Sequence, residues 1–72
     1  MISVVIKLDW NIIAPDTLCL KQKFGSIGAA EAFMQDAAAN SLFLEAYDEN
    51  ARESKQSMYV NVKYVAYFSC YK

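Results

Sequence analysis

Apolar and polar residues alternate with a period of two through most of this chain, and the longest such run is its last. From Met58 the apolar set is Met58, Val60, Val62, Tyr64, Ala66, Phe68 and Cys70; the intervening set is Tyr59, Asn61, Lys63, Val65, Tyr67, Ser69 and Tyr71. Such periodicity, rich in β-branched and aromatic side chains and free of Gly and Pro, predicts one long strand over residues 57–72. Residues 2–12 show the same alternation, with Ile2, Val4, Ile6, Leu8, Trp10 and Ile12 on one side. Ala14, Pro15 and Asp16 read as a turn, because Pro presets φ and Asp can bond its own backbone. Alternation then resumes over 17–24, with Leu18, Leu20 and Phe24 on the apolar side.

Residues directly opposite in an antiparallel pair share a face, so the numbers of paired residues here must sum to an even value. A three-residue turn at 14–16 predicts Ile13 opposite Thr17, Trp10 opposite Leu20 and Ile6 opposite Phe24. The outer face then sets Asp9 against Lys21 and Lys7 against Lys23. Ser26 is a candidate N-cap for a helix over 27–39 that ends near Asn40. At about 100° per residue its buried side collects Ile27, Ala30, Phe33, Met34 and Ala37. Residues 41–48 form a third strand, with Leu42, Leu44 and Ala46 inward and Phe43, Glu45 and Tyr47 outward. The polar segment 48–57 is a protruding connector to the final strand.

One amphipathic helix can cover one face of a four-stranded sheet. The expected fold is therefore α+β, a two-layer ββαββ domain in which a mainly antiparallel four-stranded sheet carries the helix on one face. The strand order 2-1-3-4 makes every neighbour antiparallel, with 2-1-4-3 as the second order. Even-numbered strand positions would lie under the helix. The opposite face would collect Lys7, Lys21, Lys23, Phe43, Tyr47, Tyr59, Lys63, Tyr67 and Tyr71, together with Val5, Asp9, Cys19, Glu45, Asn61 and Val65. The final strand is also long enough to run past its neighbour and pair elsewhere, including with a second copy of itself.

Composition narrows the function classes. With 72 residues, 56% of them hydrophobic, the chain is one domain, residues 1–72, near the lower size limit for a self-sufficient core. A net charge of −1 is neither the basic balance of a duplex-DNA binder nor the acidity of a nucleic-acid mimic. No export signal pattern and no apolar run of membrane length stands in the sequence, so a cytoplasmic, unexported protein is expected, with Cys19 and Cys70 as free thiols. No histidine is present, which removes Ser-His-Asp and Cys-His catalysis and His-containing zinc sites. The two glycines, Gly25 and Gly28, make no phosphate-binding loop or nucleophile elbow. No enzyme chemistry, cofactor or metal is expected.

The aromatic face has three readings. Its rings can serve strand propensity and cross-strand packing alone. They can bury against protein, either a target or a second copy in a homodimeric structural protein, since tyrosine gives large contact area at low entropic cost. Or Phe43, Tyr59 and Tyr67 can stack single-stranded bases while Lys7, Lys21, Lys23 and Lys63 hold phosphates.

The layout of two hairpins (residues 2–24 and 42–71) joined by one Ser-capped helix (26–39), in fewer than 80 residues and without catalytic residues, resembles that of some small phage-encoded anti-CRISPR proteins. That resemblance implies a stoichiometric inhibitor that docks on a host protein complex such as a CRISPR–Cas effector. It is architectural and carries no site residue with it.

Overall fold

The computed structural model describes residues 1–9, 17–49 and 57–72. The expected continuation of the first strand through Trp10 and Ile12, the turn at residues 14–16, and residues 50–56 of the connector lie outside the described residues. The elements are β1 (Ser3–Leu8), β2 (Thr17–Leu20), α1 (Ile27–Asn40), β3 (Phe43–Tyr47), β4 (Met58–Asn61), a 3₁₀ turn (Val62–Tyr64) and β5 (Val65–Tyr71). The fold is α+β, one helix with an antiparallel sheet, as alternation and the Ser cap predict. The sheet has five strands rather than four, in the order β4-β3-β2-β1-β5.

The fifth strand arises because the long final run is broken. Asn61 accepts a hydrogen bond from the Lys63 N–H through its own side chain, 3.0 Å away, which draws the backbone into the 3₁₀ turn at Val62–Tyr64. Before the turn the chain pairs with β3; after it, β5 pairs with β1 at the opposite edge. In a flat sheet those edges would lie about 19 Å apart, four spacings of about 4.8 Å. Asn61 and Val65 are four residues apart and can span at most about 14 Å. The sheet must therefore curl into an open barrel, with the turn crossing between its two edges.

That curl also changes strand order. β3 lies beside β2, not beside β1 as 2-1-3-4 requires; the neighbours of 2-1-4-3 all form, first strand with second, first with the end of the final run (β5) and its start (β4) with the third, and the β2–β3 pairing is added to them. Parity does not distinguish these arrangements, because each keeps even residues on one face. The β1–β2 register shows the same freedom: Ile6 pairs with Leu18 and Lys7 with Thr17, six positions away from the expected sums but still even. Reciprocal Ile2–Phe24 backbone bonds of 2.7 and 2.9 Å close the hairpin's open end. The expected Ile6–Phe24, Lys7–Lys23 and Asp9–Lys21 pairs do not form, and the Lys21 N–H bonds instead to the Glu45 carbonyl in β3.

The core follows the even positions closely. Ile2, Val4, Ile6, Leu8, Leu18, Leu20, Phe24, Leu44, Ala46, Val60 and Val62 are buried, joined by Ala30, Met34 and Ala37 of the helix. Ser26 caps α1 as expected, its Oγ accepting from the Ala29 N–H at 3.1 Å. The helix ends at Ser41, which adopts the left-handed conformation (φ 52°, ψ 43°) and donates its N–H to the carbonyls of Ala37 and Ala38. α1 packs against the 3₁₀ turn and β5. The Phe33 ring meets that of Phe24 at 5.2 Å between centroids.

Five positions depart from the expected faces. Leu42 and Tyr64, placed under the helix by parity, are exposed, because one precedes β3 and the other sits in the turn where alternation stops. Ile27 is exposed at the first helical turn. Cys19 is buried on the outer face, between Val5 of β1 and Tyr47 of β3. Val65 packs against the core, because a bulge skips Ala66 and sets Val65 opposite Leu8.

Candidate functional site

The exposed aromatic residues do not form one continuous surface. They fall into two groups on strands separated by β2 and β1 in the sheet order, with Tyr47 at the far end of β3 from Phe43.

The first group stands on β3, β4 and the 3₁₀ turn. Phe43 pairs with Asn61 and Glu45 with Tyr59, so Phe43 and Tyr59 are diagonal neighbours on one face. Phe43 is 65% exposed and Tyr59 68%. These two rings border two adjoining recesses. One, of about 260 Å³, includes Asn61, Lys63 and Tyr64 in its lining; the other, of about 270 Å³, includes Gln22, Phe33 and Glu45. A cation therefore borders one recess and a carboxylate the other. The Lys63 ammonium lies 5.1 Å from the Tyr64 ring centroid. Glu45 accepts a 2.8 Å hydrogen bond from the Ser57 hydroxyl.

Asn61 builds this rim. Its Oδ1 accepts from the Lys63 N–H, and its Nδ2 donates to the Ser41 carbonyl at 3.3 Å, tying the end of β4 to the end of the helix. Asn61 falls on the polar side of the alternation, so periodicity carries no sign of the turn; the one local signal is an Asn side chain able to accept from the backbone two residues on. Tyr64 joins the rim although parity assigns it to the core, because the turn brings it to the surface.

The second group lies on β5, where Tyr67 pairs with Lys7 and Tyr71 with Ser3. Tyr67 is 61% exposed and Tyr71 48%. Tyr47 is half-buried against Cys19. The Lys23 ammonium lies 3.7 Å from the Cys19 sulfur and 5.9 Å from the Tyr47 ring centroid. The hydrogen bond with Cys19, followed by burial, pushes the Tyr47 phenol above its ordinary value. Cys19 and Cys70 are both free thiols, on opposite faces of the sheet.

The four lysines singled out in the sequence are likewise dispersed. Lys7 stands beside Tyr67 and Thr17, Lys21 beside Glu45, Lys23 over Cys19 and Tyr47, and Lys63 over Tyr64. They do not line up as the cationic track that a nucleic-acid backbone follows.

Compared with known proteins, the chain matches no family model, no curated protein and no solved structure. Among the described residues, no helix is long and apolar enough to cross a membrane.

Proposed function

We propose that this chain is a non-enzymatic interaction module that docks a protein partner on the rim formed by Phe43, Tyr59, Asn61, Lys63 and Tyr64. One observation carries the reading: Phe43 and Tyr59 stand largely exposed between two recesses, one edged by Lys63 and the other by Glu45. Large rigid rings beside concavities are what interface hot spots are made of, and opposite charges on either side give a docking partner an orientation. The partner class follows from the resemblance in size and layout to phage-encoded anti-CRISPR proteins. It is a host protein complex such as a CRISPR–Cas effector, inhibited stoichiometrically in the cytoplasm.

The test is affinity capture from the native host with the unmodified chain and with the Phe43→Ala/Tyr59→Ala double variant. Both rings lie on the outside of the sheet, so circular dichroism of the variant should match the parent. Loss of capture with an unchanged spectrum supports the rim as the site, and capture at undiminished yield defeats it. Binding of single-stranded oligonucleotides at low salt, weakening steeply as salt rises, would move the assignment to nucleic acid.

A further inference from the structure

Among the described residues, β5 is the longest strand of the sheet and one of its two edges, with β1 as its only strand neighbour. Its residues, Val65 to Tyr71, include no charge and no proline. Edge strands are ordinarily protected by one or the other, since their free N–H and C=O groups otherwise accept another strand. β4, the other edge, is also uncharged but has four residues against seven in β5, while β1 carries Lys7 and β3 carries Glu45. On the helix side, β5 borders an open apolar groove of about 330 Å³, lined in part by Met34, Ala38, Ala66 and Phe68. Phe68 and Cys70 contact the core yet remain only half-covered.

We infer that two copies of this chain pair through antiparallel β5 strands, joining their sheets across a two-fold axis. The strand is self-complementary about Ser69. With Ser69 opposite its own counterpart, Tyr67 faces Tyr71 of the second copy and Phe68 faces Cys70, so that each pair shares a face and matches in polarity. The same register sets Lys72 of one copy opposite Ala66 of the other, at the mouth of the groove. Its aliphatic stem can lie over the apolar lining, and Glu31, two turns from Ala38 on the same helix flank, supplies opposite charge. A net charge of −1 leaves little repulsion between whole copies.

The area sets the strength. Two half-exposed or more exposed tyrosines and one strand edge bury roughly 400–500 Å² per copy, below the roughly 600 Å² per partner of a standard stable interface. The dimer is accordingly concentration-dependent, with a dissociation constant of about 10–100 µM. This surface lies on β5, apart from Phe43 of β3 and Tyr59 of β4, and does not depend on the function proposed for that rim.

Sedimentation equilibrium from about 5 to about 500 µM tests it, since that span brackets the expected constant. The unmodified chain should pass from monomer to dimer. Ser69→Lys places like charges at the two-fold axis and should weaken the dimer at least about tenfold, as should Ser69→Glu. An equimolar mixture of the two variants should recover it as a heterodimer. Recovery on mixing separates self-pairing from misfolding, because two damaged monomers would not repair each other. A chain that stays monomeric over the whole range overturns the inference. A dimer indifferent to both substitutions also overturns it, because association would then use another surface.

Discussion

β1 and β5 lie side by side, pair over six positions, and present the same alternation, yet they experience different environments. In β1, Val4 and Ile6 have no exposed surface; directly opposite them in β5, Cys70 and Phe68 are only half-buried. Both strands direct these residues toward the helix side. The difference lies in neighbours: among the described residues β1 has a strand on each flank, whereas β5 has a strand on one flank alone. Periodicity determines which way a side chain points, and position in the sheet determines how much of it leaves water.

Truncation should expose that contrast most strongly. Ile6→Ala removes a fully enclosed side chain at the centre of the sheet and should cost about 3–4 kcal/mol. For a 72-residue domain that is a large share of a total of about 4–11 kcal/mol, and urea unfolding should show a nearly lost native baseline. Phe68→Ala deletes more atoms at the paired position but should cost less, about 2 kcal/mol, because that ring is only partly withdrawn from water and its site opens onto the groove. Equal losses would mean that β5 is as enclosed as β1.

Asn61→Ala sharpens the comparison from the connecting side. It removes two hydrogen bonds that hold the turn between the sheet's edges, and should cost about 1–1.5 kcal/mol. Amide exchange in β5 should rise more than in β1, since β5 reaches its place through that turn. At the helix, Ser26→Ala should cost about 1 kcal/mol by removing the cap on Ala29. Ser41→Gly should do the reverse, raising the unfolding free energy by a few tenths of a kcal/mol and the urea midpoint with it, because φ of 52° suits glycine better than serine.

The smallest effect is a pH dependence. The folded chain holds the Tyr47 phenol above its ordinary value of 10.0, chiefly through Cys19, so folding favours the protonated form. That contribution is complete below the unfolded value and is lost as pH rises from there through the folded value. Urea midpoints should be level between about pH 8 and about pH 9 and decline above about pH 10, and Tyr47→Phe should flatten part of that decline.

Much of the candidate site was legible in the sequence one residue at a time. Phe43, Tyr59, Tyr67 and Tyr71 were expected on the outer face, and all four are exposed. Their grouping was not legible, because the turn after Asn61 leaves Tyr59 beside β3, which carries Phe43, and sends Tyr67 and Tyr71 to β1. Tyr64 was assigned to the core by the same alternation that the turn interrupts. Cys19 went the opposite way, an outer-face residue buried among Val5 of β1, Tyr47 of β3 and Lys23 beyond the end of β2.

Taken alone, the amino-acid order determined what depends on near neighbours in the chain: the strand periods outside the turn, the Ser26 cap, the helix to within a residue of its end and the face of the even residues within the strands. Those features are governed by backbone geometry and side-chain spacing within a few residues. Strand count, strand order and register were decided only in the folded molecule. Sliding a pair by two residues or exchanging one neighbour for another preserves every face, so alternation assigns those arrangements the same merit. Closure through the Asn61 turn, the Ile2–Phe24 bonds and the packing of the helix over β5 choose among them, and each joins residues that the chain itself holds apart or leaves unassigned.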